Sequence, residues 1–274
     1  MGRSYWWLAH QPLKLNRSEV WEKSKDLLRK AIDLDSNNGW AYAEMAVVIS
    51  NYDWDSTATR KSLDKAILLM PNDRNAYIHY FFHEFRLGHC EKIRWIIEAE
   101  KRFDPWLERQ FNNRNICLLA CQNNYPEIVN LANRYWDENV DPTTSSFIFD
   151  AYLHEGQFDK ASVIVNYFKG IDKMTYYLFK ALLTAKEGKK NITQQMIDSL
   201  NLLSKKEYVP KTYYASIYAA LDNREQMYNY LEAGLKEREK ELHDVNWYSV
   251  FNPYKTEPRF KEIIRRMWIP LEGR

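Results

Sequence analysis

The chain has 274 residues, long enough for one large domain or two small ones with a sizeable buried core. Its 39 Lys and Arg against 37 Asp and Glu leave a formal charge of +2, which argues against a dedicated nucleic-acid binder, because such proteins need a basic face to neutralise phosphates. Only 8 Gly and 9 Pro accompany 10 Trp, 19 Tyr and 12 Phe, a mix suited to helices with few turns, and apolar runs such as Met45 to Ile49 fall far short of the roughly 20 residues of a membrane helix.

Apolar residues recurring at offsets of three and four predict an all-α protein. The expected helices cover 4–15 (broken near Gln11 by Pro12), 19–35, 38–52, 55–69, 74–87, 90–103, 107–122, 125–138, 143–155, 158–169, 174–187, 191–206, 211–221, 223–242 and 257–268. Residues 243–256 read as a loop, and Pro258 falls in the first turn of the helix that follows. Asp55, Asp159 and Asn223 with Glu225 stand where a cap or first-turn acid would open the second helix of a pair.

The punctuation repeats. Ala31-Ile-Asp-Leu-Asp-Ser36 returns as Ala66-Ile-Leu-Leu-Met-Pro71 after 35 residues, and Phe103-Asp-Pro105 and Val140-Asp-Pro142 follow after 34 and 37. The turns keep the same register: Leu87-Gly88 and Glu155-Gly156 are 68 apart, Glu187-Gly188 comes 32 later, and Asp222 takes the equivalent place 34 further on. Each period therefore holds two helices and a short turn, and proline marks the junction because it cannot continue a helix interior.

Two helices per 34 residues, with small residues inside them and proline at the junction, resemble tetratricopeptide repeats. Gly156 matches the glycine of the turn within a pair, Phe158 the aromatic after it, and Ala161 and Ala66 the second-helix alanine, whereas Glu100 and Gly234 depart from that alanine and 191–206 is poorly patterned. Ile217-Tyr-Ala-Ala-Leu-Asp-Asn, Tyr230-Leu-Glu-Ala-Gly-Leu-Lys-Glu-Arg238, Glu257-Pro-Arg-Phe260 and Arg265-Arg-Met267 are similar to the C-terminal end of bacterial tetratricopeptide modules that lie behind DNA-binding, cyclase or kinase domains in signalling proteins; Asn51-Tyr-Asp-Trp-Asp55 resembles their early repeats. The resemblance implies an α-α superhelix of about seven helix pairs plus a C-terminal helix. It would form a single domain over 1–274, with an irregular first repeat over 1–36 and a terminal loop and helix over 243–274.

Such a solenoid implies a non-enzymatic scaffold that takes a peptide or partner protein on the concave face formed by its first helices. The inward positions named for partner binding are Trp40, Asn75, Ile78, His79, Phe82, Arg86, Gln110, Asn113, Arg114 and Asp150. Ala43, Val47, Thr143, Ser146, Leu178, Thr212 and Ser216 share the face. Ala43 and Val47 stand where a chaperone-tail clamp would carry lysine and asparagine, so no such clamp is expected. A carbohydrate or small-molecule binder is the alternative, because aromatic faces stack on sugars and flat ligands. A helical RNA reader would share the period but not the charge.

No glycine-rich phosphate loop, serine nucleophile elbow, paired CxxC or HExxH occurs, so no catalytic residue and no cofactor is assigned. His79 and His83, four apart near His89 and Cys90, are the nearest approach to a metal site, yet a third ligand is not assured and none is assigned. Three cysteines cannot form a disulfide framework; reduced thiols in a cytoplasmic protein are the simpler expectation, with Cys117 and Cys121 as small hydrophobes of one helix face.

Overall fold

The computed structural model describes residues 17–103, 108–135 and 142–267; the helix expected over 4–15 lies outside them. In chain order the α-helices are α1 (Arg17–Leu34), α2 (Gly39–Val48), α3 (Ser56–Leu69), α4 (Arg74–Arg86), α5 (Cys90–Phe103), α6 (Glu108–Cys121), α7 (Tyr125–Tyr135), α8 (Pro142–His154), α9 (Phe158–Phe168), α10 (Lys173–Lys186), α11 (Lys190–Leu203), α12 (Lys211–Ala220), α13 (Arg224–Glu237) and α14 (Pro258–Met267). Among the described residues there is no strand, and no helix is long and apolar enough to cross a membrane. The sequence-derived helices match these within a few residues at each end. Two segments differ in kind: α2 runs on into a π-helical turn, Ile49–Asp53, and the helix expected over 223–242 stops at Glu237, its end and the expected loop 243–256 being occupied by 3-10 helices at Lys240–Asn246 and Ser249–Tyr254.

Capping explains several of the helix starts. The side chains of Asn38, Asp55, Asp73 and Asn223 accept from the N–H three residues on, and Asp172 accepts from Met174 N, each satisfying a backbone donor that has no partner within its helix. Asp159 instead lies in the first turn of α9, where its charge complements the helix dipole. Six helices end in one way, α13 at Arg238 with φ of 54° among them. Gly88, Gly156 and Gly188 sit at φ of 76, 68 and 76°, and Asn123 and Asp222 adopt 54° in the same role. Beyond each, an N–H returns to a carbonyl five residues back, as from Gln157 to Tyr152 and from Asn223 to Tyr218, both at 2.8 Å. The repeat of about 34 residues is thus a recurring left-handed helix exit.

Contacts divide the chain into two compact units, residues 1–107 with 264–274, and residues 108–263. In the first unit α1 to α5 each pack on the next helix, and α2 also touches α4. Trp21, Leu28, Met45 and Val48 form one buried cluster; Ala43, Ala66 and Ala76 form another, where the absence of larger side chains lets the helices approach. In the second unit α6 to α11 pack in succession and α12 pairs with α13, while α6 touches α8, α8 touches α10 and α10 touches α12. Its core includes Phe149 stacked on Phe179 with centroids 4.2 Å apart, and Phe168 edge-on to Phe179 at 5.4 Å.

The two 3-10 helices belong to the core of the second unit. They pack on α8, α12 and α13, and bury Leu242, Val245, Val250, Phe251 and Tyr254. Glu239 leads into them. Its carboxylate, fully buried, accepts from the Tyr208 hydroxyl at 2.6 Å, from Lys211 N, and from Thr212 N and Oγ1 at 3.1 and 2.9 Å. It therefore caps α12, which begins after Pro210 with no side-chain cap of its own. A Cβ on Gly234 would come within 2.9 Å of this carboxylate, so the glycine that departs from the repeat pattern makes room for the cap.

Candidate functional site

A cavity of about 230 Å³ opens in the first unit between α2, α3 and α4. Its shape starts from the π-helical turn. The N–H of Trp54 reaches the carbonyl of Ile49, five residues back, at 2.9 Å, and Trp54 closes the turn in the left-handed conformation with φ of 58°. The wider turn carries Ser50 and Asn51, both buried, to the cavity, where Ala46 and Val47 precede them. Thr59 and Leu63 come from α3. Helix α4 supplies Ile78, His79, Phe82, His83 and Arg86, whose spacings of three and four set them on one face.

Polar geometry is concentrated around the turn. Arg86 Nη1 donates to Ser50 Oγ at 3.3 Å, Asn51 Nδ2 donates to the Val47 carbonyl at 2.8 Å, and Thr59 Oγ1 donates to the Asp55 carbonyl at 2.7 Å. Asn51 Oδ1 and both ring nitrogens of His83 are buried and make no hydrogen bond within the described protein. Burial pushes the His83 imidazole down to about 4, with the nearby Arg60 and Arg86 charges adding to the effect and Glu84 opposing it. At neutral pH this histidine is uncharged, and Arg86 supplies the positive charge of the lining.

Glu84, the neighbour of His83, is itself fully buried and engaged elsewhere. Arg60 donates to it through Nε at 2.9 Å and Nη2 at 3.2 Å, the His89 ring is in hydrogen-bond contact, and Lys92 lies 3.6 Å away. Burial alone would raise its carboxyl; the hydrogen bonds from His89 and Arg60 outweigh this and hold it below the usual range. His89 is thus committed to Glu84, and Cys90 is disulfide-bonded. Among the described residues no three His, Cys, Asp or Glu side chains are arranged to hold a metal.

Of the ten residues named from sequence, Ile78, His79, Phe82 and Arg86 meet at this cavity, as does Val47 from the wider inward set. Trp40, half-buried in the first turn of α2, and Asn75, exposed in the first turn of α4, do not line it. Gln110 falls within α6, where Asn113 and Arg114 are half-buried; all three belong to the second unit. The sequence reading missed Ser50, Asn51, Thr59, Leu63 and His83 as lining residues. The His79/His83 pair was visible but read as a weak metal motif, and nothing in a 3.6-residue period signals a π-helical turn.

Asp150 is buried against the chain's own segment. Both carboxylate oxygens accept from Ser249 N, at 3.1 and 2.9 Å, and one accepts from Ser249 Oγ at 2.8 Å. Leu178, Thr212 and Ser216, also expected to face a partner, line with it a void of about 20 Å³ closed by Tyr213, Asp244, Tyr248 and Val250, room for a single water. Asp150, Leu178, Thr212 and Ser216 therefore face residues of the segment 241–250. Cys121 is disulfide-bonded, so it offers no thiolate beside Cys117, which departs from the expected reduced thiols.

Burial pushes the Asp150 carboxyl up to about 6, with the Ser249 hydrogen bonds opposing. A carboxyl raised in the folded state contributes stability in full below its unfolded value near 4, and that contribution is lost as pH climbs through about 6. Asp150→Asn removes this titration. Relative to the unaltered protein, the variant should gain about 3 kcal/mol of stability between pH 4 and pH 7. Urea unfolding at the two pH values checks this; a difference independent of pH would contradict it.

Neither a protein-family model nor a curated protein matches the chain. The functional reading therefore rests on the cavity and the helix arrangement alone.

Proposed function

We propose that the chain is a tetratricopeptide-like helical solenoid that captures a peptide or partner protein on its first helices, as the interaction part of a bacterial signalling or regulatory system. Catalysis is not part of this reading. The observation that carries it is the convergence of Ile78, His79, Phe82 and Arg86, four residues expected to face a partner, on one cavity beside Ser50 and Asn51. The contacts of α2 with α4 in one unit, and of α6, α8, α10 and α12 in succession in the other, support a repeated stacking of first helices. A half-buried aromatic anchor beside an arginine is the chemistry of interface hot spots.

A photo-crosslinking residue at position 82, in the full chain expressed in its source cells, is expected to trap a discrete partner. The same residue at Leu34, which is 89% exposed on α1, should not trap it. Phe82→Ala should weaken co-purification of that partner about thirty-fold, the consequence of losing roughly 2 kcal/mol at an anchor. Equal trapping at positions 34 and 82 would refute the assignment.

A further inference from the structure

We propose that the cavity between α2, α3 and α4 binds a small organic acid, with its apolar body among Val47, Leu63, Ile78 and Phe82 and its carboxylate at Arg86. This goes beyond partner capture and does not depend on it.

Charge complementarity is the first argument. Among the described residues eleven line the cavity; Arg86 is one of them, and none is Asp or Glu. Glu84, adjacent in sequence, is turned to Arg60, His89 and Lys92. The one ionic side chain of the described lining is thus a cation, the polarity that complements an anion. A guanidinium matches a carboxylate with paired N–H donors, and its charge does not titrate near neutrality. Arg86 already holds Ser50 Oγ at 3.3 Å, which sets a hydroxyl beside the same place.

Size and lining narrow the class further. A cavity of about 150 Å³ holds benzene, so the 230 Å³ here admits about nine non-hydrogen atoms. This fits an arylacetic acid or a medium-chain fatty acid, and leaves no room for a second aromatic ring. The aliphatic and aromatic walls would bury the body of such a molecule while its charged end stays at Arg86.

The floor is built at an energetic cost. It combines a π-helical turn, a distortion that recurs at functional sites, with a buried amide oxygen on Asn51 and a buried imidazole on His83 that the described protein leaves without hydrogen bonds. Groups of this kind destabilise a fold when they serve packing alone.

The test is isothermal titration of the full chain with phenylacetate and octanoate, each beside its neutral amide, phenylacetamide and octanamide. At least one acid should bind about ten-fold or more tightly than its own amide, the usual worth of one charge-assisted contact. Arg86→Gln should remove that preference while the variant keeps a cooperative unfolding transition, which separates loss of the carboxylate contact from loss of the fold. Val47→Phe, which fills the cavity from the α2 wall, should abolish binding of acid and amide alike; Val47→Leu serves in its place if the larger side chain unfolds the protein. Any of three results overturns the proposal: amides binding as tightly as acids, Arg86→Gln leaving the acid affinity unchanged, or neither acid binding at millimolar concentration. Partner trapping at position 82 is read separately, so either assignment can fail without the other.

Discussion

Glu239→Ala is expected to lower the unfolding free energy by about 4 kcal/mol. The carboxylate is fully buried and accepts from the Tyr208 hydroxyl, two backbone N–H groups of α12 and the Thr212 hydroxyl. Alanine removes the acceptor shared by four donors, among them the backbone N–H groups that open α12, and an unsatisfied buried donor costs more than the net worth of the bond it lost. The substitution also opens the space that Gly234 keeps for the carboxylate. Glu239→Gln retains one acceptor oxygen and should lose about half as much. Urea denaturation followed by circular dichroism measures both, and an alanine variant with an unchanged midpoint would show that the cap does not hold α12.

Trp54→Ala should cost a similar amount in the first unit, about 4 kcal/mol. Trp54 heads the fully buried large side chains, and its Nε1 donates to the Asn51 carbonyl at 3.1 Å. Removing the ring creates a cavity behind the π-helical turn and leaves that carbonyl without its donor. Alanine gains nothing from the backbone, because φ of 58° is as unfavourable for it as for tryptophan. Trp95→Ala is the matched control: that side chain is 57% exposed, and its loss should change stability by less than about 0.5 kcal/mol. Comparable losses from the two tryptophans would contradict the packing described for Trp54.

Local chemistry was the legible part of this sequence. The turn glycines at 88, 156 and 188, and Asp222 in the same register, could be found because a left-handed helix exit restricts which residues serve there. Asp55 and Asn223 were readable as caps for a similar reason. Ile78, Phe82 and Arg86 could be placed together because helical spacing alone puts them on one face. The π-helical turn could not be read, since one extra residue in a turn leaves the apolar pattern on either side intact.

Asp150 shows a different limit. Its position on α8 was read as facing inward, but what lies against it is decided about a hundred residues later in the chain. One signal was available: Trp247, Tyr248, Val250, Phe251 and Tyr254 make 243–256 too apolar for a solvated loop. Gly234 carries the same lesson on a smaller scale, as a departure from the repeat that becomes intelligible only once Glu239 is seen beside it.

The covering of Asp150 by residue 249 sets a timetable for synthesis. Most helix pairs of the second unit close on neighbours in sequence, yet Asp150 meets Ser249 across 99 residues and Tyr125 meets Asn252 across 127. At roughly 5–20 residues per second, a ribosome needs about 5–20 s to deliver the missing stretch. Until then the Asp150 carboxylate lacks the Ser249 groups that it accepts from in the folded unit. Assembly of the second unit therefore waits on its last 3-10 turns, and a chain stopped before Ser249 lacks those donors for as long as it exists.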